Sequence, residues 1–146
     1  MHSRLGQLRG WKAQRTGRVL AVMGCMAQRE AADIRRRNSH VDLIVGTRDF
    51  PKIPELVGRV RRGEGPFIVI DGVDRPDVAR SPTVRPRPYQ AYVTIMRGCD
   101  RPCTYCIVPT VRGREISRPL EEVVTEVEQL VEQGVVEVCL LGQTVN

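Results

Sequence analysis

Three cysteines inside one short loop, Cys99, Cys103 and Cys106, constrain this chain more than any other feature. The stretch Gly98-Cys99-Asp100-Arg101-Pro102-Cys103-Thr104-Tyr105-Cys106 has C-x3-C-x2-C spacing, so one loop can fold three thiolates around a single small object. A soft, thiolate-rich site favours an iron–sulfur cluster, with zinc as the rival. A structural zinc ion would need a fourth ligand, and no second C-x2-C or H-x3-H element appears. A disulfide framework fits poorly, because three cysteines do not pair evenly and nothing else suggests an oxidising compartment. Three thiolates leave one iron of a 4Fe–4S cube without a protein ligand. That open position is what a cluster needs in order to bind a co-substrate rather than only carry an electron.

The surroundings of the loop predict its setting. Ala91 to Met96 reads as a strand, and the cysteine loop leaves its C-terminal end, running on through Val111-Arg112-Gly113-Arg114 to Ser117. A helix starts near Pro119, a good first helical position. Val123, Val124, Val127, Leu130 and Val131 form its apolar face, with Glu121, Glu122, Glu126, Glu128 and Glu132 pointing away. Gly134 suits the C-terminal cap, and Val136 to Leu141 reads as the next strand. Cys139, mid-strand between apolar neighbours, is expected in the core. In such a parallel unit, with a right-handed crossover expected, both strands end at one edge. The cysteine loop and the segment Gln143 to Asn146 should therefore meet, at the edge where barrel enzymes do their chemistry. Gln143 and Asn146 are candidates to touch a cofactor or substrate; the alternative is a polar strand end facing solvent.

The first half reads as a second α/β unit. Leu5, Leu8, Trp11 and Lys12 fit one face of a short basic helix that closes near Gly17. Arg18 to Met23 reads as a buried strand, Met26 to Arg37 as a helix, Val41 to Val45 as a strand, Ile53 to Arg62 as a helix and Phe67 to Ile70 as a third strand. Strands alternating with helices predict a parallel sheet. Cys25 sits where the first strand turns into a helix, the ligand edge of such sheets and a place that favours a thiolate. The alternative for Cys25 is a small buried residue.

Between these units, residues 72–90 carry Pro76, Pro82, Pro86 and Pro88 among Arg and Asp, which predicts an extended linker. The expected division is 1–71 for an N-terminal α/β domain, 72–90 for the linker and 91–146 for the cysteine-loop domain. The formal net charge of +6 comes with arginine far outnumbering lysine, which suits phosphate recognition. Arg35, Arg36, Arg37, Arg59, Arg61 and Arg62 are the candidate phosphate contacts. A small zinc-stabilised nucleic-acid-binding module is the rival reading from another class. No apolar run approaches the length of a membrane span and no signal peptide is evident, so the expectation is a cytoplasmic monomer.

Motifs in order along the chain sharpen the reading. Val22-Met23-Gly24-Cys25-Met26-Ala27-Gln28, Val41 to Gly46, Met96-Arg97-Gly98-Cys99, Cys103-Thr104-Tyr105-Cys106-Ile107-Val108-Pro109, Arg112-Gly113-Arg114-Glu115, Ser117-Arg118-Pro119 and Leu141 to Asn146 resemble the radical S-adenosylmethionine (radical SAM) methylthiotransferases. The resemblance implies the incomplete N-terminal α/β domain of that family, linked to the first β-loop-α-β unit of a partial TIM-like barrel. It implies a 4Fe–4S cluster on Cys99, Cys103 and Cys106 that chelates S-adenosylmethionine, with Tyr105, Ile107, Val108 and Pro109 flanking the cofactor's adenine. Cys25 matches one of three ligands to an auxiliary 4Fe–4S cluster, but no cysteine precedes it to supply the other two. The implied activity adds a methylthio group to C2 of N6-isopentenyladenosine at position 37 of tRNA, using an external reductant. Sister enzymes acting on threonylcarbamoyl-adenosine in tRNA or on a ribosomal-protein aspartate share these motifs. The chain is expected to be an internal fragment that is inactive by itself.

Overall fold

The computed structural model describes residues 2–70, 72 and 84–145. The chain divides into two compact units, residues 1–73 and 74–146, and both are mixed α/β.

In the first unit, α1 (His2–Ala13), β1 (Ala21–Met23), α2 (Cys25–Arg37), β2 (Leu43–Val45), a 3-10 turn (Phe50–Lys52), α3 (Ile53–Arg61) and β3 (Phe67–Val69) follow one another. The three strands form a parallel sheet in the order β1-β2-β3, with Ala21 beside Leu43 and Leu43 beside Phe67. Central β2 is buried on both faces, which is why it reads as an unbroken apolar run. Ile44 points into one core with Leu5, Leu20, Ala27, Ala31, Ile34 and Val41. Its neighbours Leu43 and Val45 point the other way, against Leu56, Ile53 and Val57 of α3. Helices therefore cover both faces, α1 and α2 on one and α3 on the other. Each fully buried branched side chain in these layers contributes about 1.5–3 kcal/mol.

Polar bonds fix the entry of the chain into this sheet. Lys12 Nζ donates to Asp42 Oδ1 (2.5 Å) and to the His40 carbonyl (2.7 Å), and the Leu20 N–H donates to Asp42 Oδ2 (2.8 Å). The basic helix is thus tied to the start of the sheet by charge as well as by Leu5.

Strand β1 departs from its expected burial: Ala21 and Met23 are exposed, and only Leu20 just before it is buried. Among the described residues β1 is an edge strand with one covered face, so its apolar side chains outnumber the sites that can bury them.

In the second unit, β4 (Val84–Arg87), β5 (Gln90–Thr94), β6 (Met96–Arg97), α4 (Val108–Arg112), β7 (Ile116–Ser117), α5 (Leu120–Glu132) and β8 (Glu137–Leu141) follow in order. Strand β5 is central, antiparallel to β4 and parallel to β8. Ala91 and Val93 are wholly buried with Leu130 and Val135, and Val123, Val127 and Val138 pack around them. Gly134 closes α5 at φ +84°, where its N–H reaches the Val131 carbonyl.

Four sequence expectations change here. Val84–Arg87, expected as the end of an extended linker, is a strand of a hairpin, while residues 73–83 of that stretch lie outside the described residues. The strand expected over residues 91–96 breaks at Ile95 into β5 and β6, which have different partners. The stretch read as loop from 107 to 117 contains α4 and β7. Cys139 is exposed rather than in the core. It lies opposite Tyr92 on the face of β8 away from Val138, and among the described residues only the Val138 side of this edge strand packs against α5. On α5 itself, Val124 and Val131 are likewise exposed, because the helix presents only Val123, Val127 and Leu130 to the sheet.

Candidate functional site

The cysteine loop is built onto the sheet by a change of partner at Ile95. There the Ile95 N–H still bonds the Leu141 carbonyl of β8 (3.0 Å), while its own carbonyl accepts from the Arg118 N–H (2.8 Å). The chain then leaves the sheet as the β6–β7 ribbon, with Met96 opposite Ser117 and Arg97 opposite Ile116. Arg118 locks this junction: its side chain is 7% exposed, donates to the Thr94 carbonyl (2.9 Å) and pairs with Glu126 of α5 (2.6 Å).

Gly98 starts the loop at φ +75°, a conformation that favours glycine. Its N–H donates to Gln143 Oε1 at 2.6 Å. The buried Cys99 follows, its Sγ 3.4 Å from Thr144 Oγ1 and accepting the Arg101 N–H at 3.5 Å. The cysteine loop and the segment after β8 thus converge at the C-terminal edge of the parallel β5–β8 pair, as expected. Asn146 lies outside the described residues.

A second set of bonds ties the loop to the segment after α4. The Cys99 N–H donates to the Gly113 carbonyl (3.2 Å), and Asp100 accepts from the Glu115 N–H (3.1 Å) and from Arg114 Nη2 (3.2 Å). The Arg114 guanidinium, then the Glu115 N–H, hold the Asp100 carboxyl below the usual aspartate value. Asp100, Arg114 and Thr144 were not singled out from sequence for any role. The available signal was local: an aspartate one residue after Cys99 in a turn-rich loop, and an arginine after Gly113.

A carboxyl whose folded pKa is depressed stabilises at pH values above its ordinary pKa, and the effect is lost as pH falls through the lowered value. The clamp should therefore be constant from neutral pH down to about pH 4 and release only below it. Both partners are exposed, so Asp100→Asn should leave overall stability unchanged while loosening the loop. Hydrogen exchange at neutral pH should show amides between Arg101 and Cys106 exchanging several-fold faster in that variant. Unchanged exchange would remove the clamp from the account.

Cys103 is exposed and Cys106 half-buried, one turn apart through the Cys106 N–H to Cys103 carbonyl bond (3.1 Å). Tyr105 is 91% exposed, Ile107 is exposed, and Val108 and Pro109 are half-buried at the start of α4. The donor set of three thiols, with an N–H and a hydroxyl directed at one sulfur, fits an iron–sulfur cluster in its chemistry. Among the described residues, however, no three His, Cys, Asp or Glu side chains are gathered closely enough to hold a metal ion.

Cys25 is half-buried at the first turn of α2, at the C-terminal edge of β1. Beside it in the fold, Gln28 links three segments: its Oε1 accepts the Thr47 N–H (3.1 Å) and its Nε2 donates to the Ile70 carbonyl (2.8 Å). Buried Asp49 accepts from Lys52 (2.7 Å) and from the Gly72 N–H (3.0 Å). No other cysteine belongs to this unit.

The arginines expected to contact phosphate are mostly engaged within the chain. Arg36 and Arg37 pair with Asp33, Arg59 and Arg62 with Glu64, and Arg35 bonds the carbonyls of Ser39 and Val41.

A parallel strand pair with a three-cysteine loop at its C-terminal edge is the arrangement of a radical SAM domain, and residues 93–146 match the radical SAM superfamily. Across nearly its whole length the chain is similar to proteins named tRNA-2-methylthio-N(6)-dimethylallyladenosine synthase. The one from Rhodopirellula baltica is 44% identical over 158 residues, covering 99% of this chain and 33% of the relative. Those from Moorella thermoacetica and Agrobacterium fabrum are 45% and 42% identical, each covering 100% of this chain and 33% and 34% of the relative. Residues 93–146 thus resemble the radical SAM superfamily, and the chain as a whole resembles these synthases. It spans about a third of the length of these curated relatives. The radical SAM superfamily in general works with a 4Fe–4S cluster and S-adenosylmethionine. Among the described residues, no helix is long and apolar enough to cross a membrane.

Proposed function

We propose that this chain is part of a cytoplasmic tRNA methylthiotransferase that adds a methylthio group to C2 of N6-isopentenyladenosine at position 37. In this reading residues 1–71 are the methylthiotransferase N-terminal α/β domain, the linker that follows ends before β4, and β5 onward is the first β-loop-α-β unit of a partial TIM-like barrel. The observation that carries it is the meeting of Gly98 and Cys99 with Gln143 and Thr144 across the β5–β8 edge. The names of the relatives favour the isopentenylated adenosine over the sister substrates.

Cys99, Cys103 and Cys106 would hold the 4Fe–4S cluster. Bound there, the cluster would supply the electron for reductive cleavage of a C–S bond of S-adenosylmethionine, with methionine as the leaving group. The chain's own groups do the holding and orienting. Gln143 fixes the backbone before Cys99, and the Arg101 N–H and Thr144 hydroxyl direct hydrogen bonds to its sulfur, which tunes a thiolate ligand. Tyr105, Ile107, Val108 and Pro109 offer flat and apolar surface for the cofactor's adenine, and Asn146 a polar group at the same strand end. Cys25 would contribute one thiolate to a second cluster. An external reductant and a monomeric enzyme complete the reading.

Mass spectrometry of tRNA from a strain lacking the gene tests it. The methylthio-adenosine should disappear while its isopentenylated precursor accumulates. Loss of the threonylcarbamoyl derivative instead, or unchanged tRNA with an unmodified ribosomal protein, would assign a sister substrate.

A further inference from the structure

A second surface, in the first unit and away from Cys25, has the chemistry of a phosphate site. A cleft of about 490 Å³ is lined by Arg15, Thr16, Gly17, Arg18 and Arg61, with no carboxylate among its lining residues. It lies where the turn after α1 meets the end of α3. We propose that this cleft binds phosphodiester groups of RNA, a role that goes beyond the methylthiotransferase reading but takes its choice of polyanion from it.

Pairing separates these arginines from the rest. Arg36 and Arg37 share the Asp33 carboxylate, and Arg59 and Arg62 share Glu64, so each of these pairs is partly neutralised and held within the chain. Arg15 and Arg61 are exposed and have no hydrogen bond or ion pair among the described residues. Arg18 is held in place instead: its guanidinium stacks 4.5 Å from the Trp11 ring centroid and donates to the Trp11 carbonyl. That bond also occupies a carbonyl at the end of α1, where the helix dipole would otherwise repel an anion. The cleft thus offers one fixed and two free guanidinium forks, the geometry that pairs with phosphate oxygens.

The form of the cleft selects a backbone over a free nucleotide. Gly17, at φ +83°, has nothing within 4 Å of the place a side chain would take, so a sugar–phosphate chain can approach its backbone closely. Trp11, 41% exposed and covered on one side by Arg18, leaves flat surface beside the cleft. The lining supplies no enclosed apolar slot for a base.

The test measures binding of an unmodified anticodon stem–loop RNA to the chain by fluorescence anisotropy across a salt series. Arg15→Gln with Arg61→Gln should weaken binding about tenfold and flatten the salt dependence by roughly one to two ion equivalents. Arg36→Gln with Arg37→Gln removes the same formal charge and should change affinity less than about twofold. Equal losses in the two double variants, or none in the first, would reduce the effect to general attraction and overturn the site. Displacement of the RNA by ATP well below millimolar concentration would make it a mononucleotide site and overturn the RNA assignment. All four arginines are exposed, and matching thermal melts check that folding is unchanged. The probe lacks the isopentenyl group, so failure of the methylthiotransferase reading would appear in the tRNA mass spectrum and leave this outcome untouched.

Discussion

Anaerobic reconstitution with iron and sulfide is expected to give one brown 4Fe–4S centre per chain, and Cys103→Ala to abolish it. Ligand number decides this: three thiolates on one loop hold the cube, and two leave it with a second open iron exposed to solvent. Cys103 is the informative position because it is exposed and belongs to none of the buried clusters. Its loss should leave α5 and β5 packed as before, so missing iron cannot be blamed on unfolding. The visible charge-transfer absorption should vanish and the iron count should fall to near zero. Unchanged iron in Cys103→Ala would sink the assignment of this ligand. Combining Cys99→Ala, Cys103→Ala and Cys106→Ala extends the test to Cys25. One thiolate at the head of α2, with no second cysteine in its unit, lacks the ligand count for a cube. About four irons retained by the triple variant would place a second centre on residues outside this account.

How far the fold could be read from sequence depended on burial. Strand β2 was legible because both its faces are covered, so Leu43, Ile44 and Val45 had to be apolar together. Helix α3, expected over Ile53 to Arg62, runs from Ile53 to Arg61 with Pro54 in its first turn, and packs Ile53, Leu56 and Val57 on the sheet. The same apolar signal misled at the edges. Met23, Cys139, Val124 and Val131 look like core residues, yet edge strands and one side of α5 leave them exposed. Composition along a strand does not state how many of its neighbours are present. Residues 107–117 failed differently. Helix α4 and ribbon strand β7 are five and two residues long, too short for any hydrophobic period to emerge.

The candidate site was half legible for a related reason. Candidate metal ligands announce themselves by type and spacing, so Cys99, Cys103 and Cys106 stood out, and strand direction was enough to bring Gln143 to the loop. Asp100, Arg114 and Thr144 act through single hydrogen bonds between segments far apart in sequence. Nothing in their local pattern distinguishes them from ordinary surface residues. Gln28, which joins α2 to the ends of β2 and β3 from one turn of helix, was hidden in the same way.

Gly98→Ala should be the most disruptive single methyl group in the second unit. Two costs combine. The first is conformational, since φ +75° burdens any residue with a Cβ by about 1–2 kcal/mol. The second is collision: a Cβ at Gly98 would lie 2.0 Å from the Arg114 carbonyl oxygen and 2.7 Å from that of Gly113. These obstacles are backbone atoms and cannot swing aside. They are also tied in place, by the Cys99 N–H to Gly113 carbonyl bond, by Asp100 on the Glu115 N–H and by the pairing of Arg97 with Ile116. Relieving the clash means opening the β6–β7 ribbon and withdrawing the Gly98 N–H from Gln143, so Cys99 moves away from Thr144. Gly134→Ala provides the comparison, because Gly134 has φ +84° but nothing within 4 Å of its would-be Cβ. It should show the conformational cost alone, roughly 1–2 kcal/mol, with iron binding intact. Gly98→Ala should lose most of its iron and lose amide protection from Gly98 to Arg114, while amides of α2 and β2 in the first unit exchange as in the parent chain. If the two alanine variants retain iron equally, close approach of the 113–115 backbone is not what holds the cysteine loop in place.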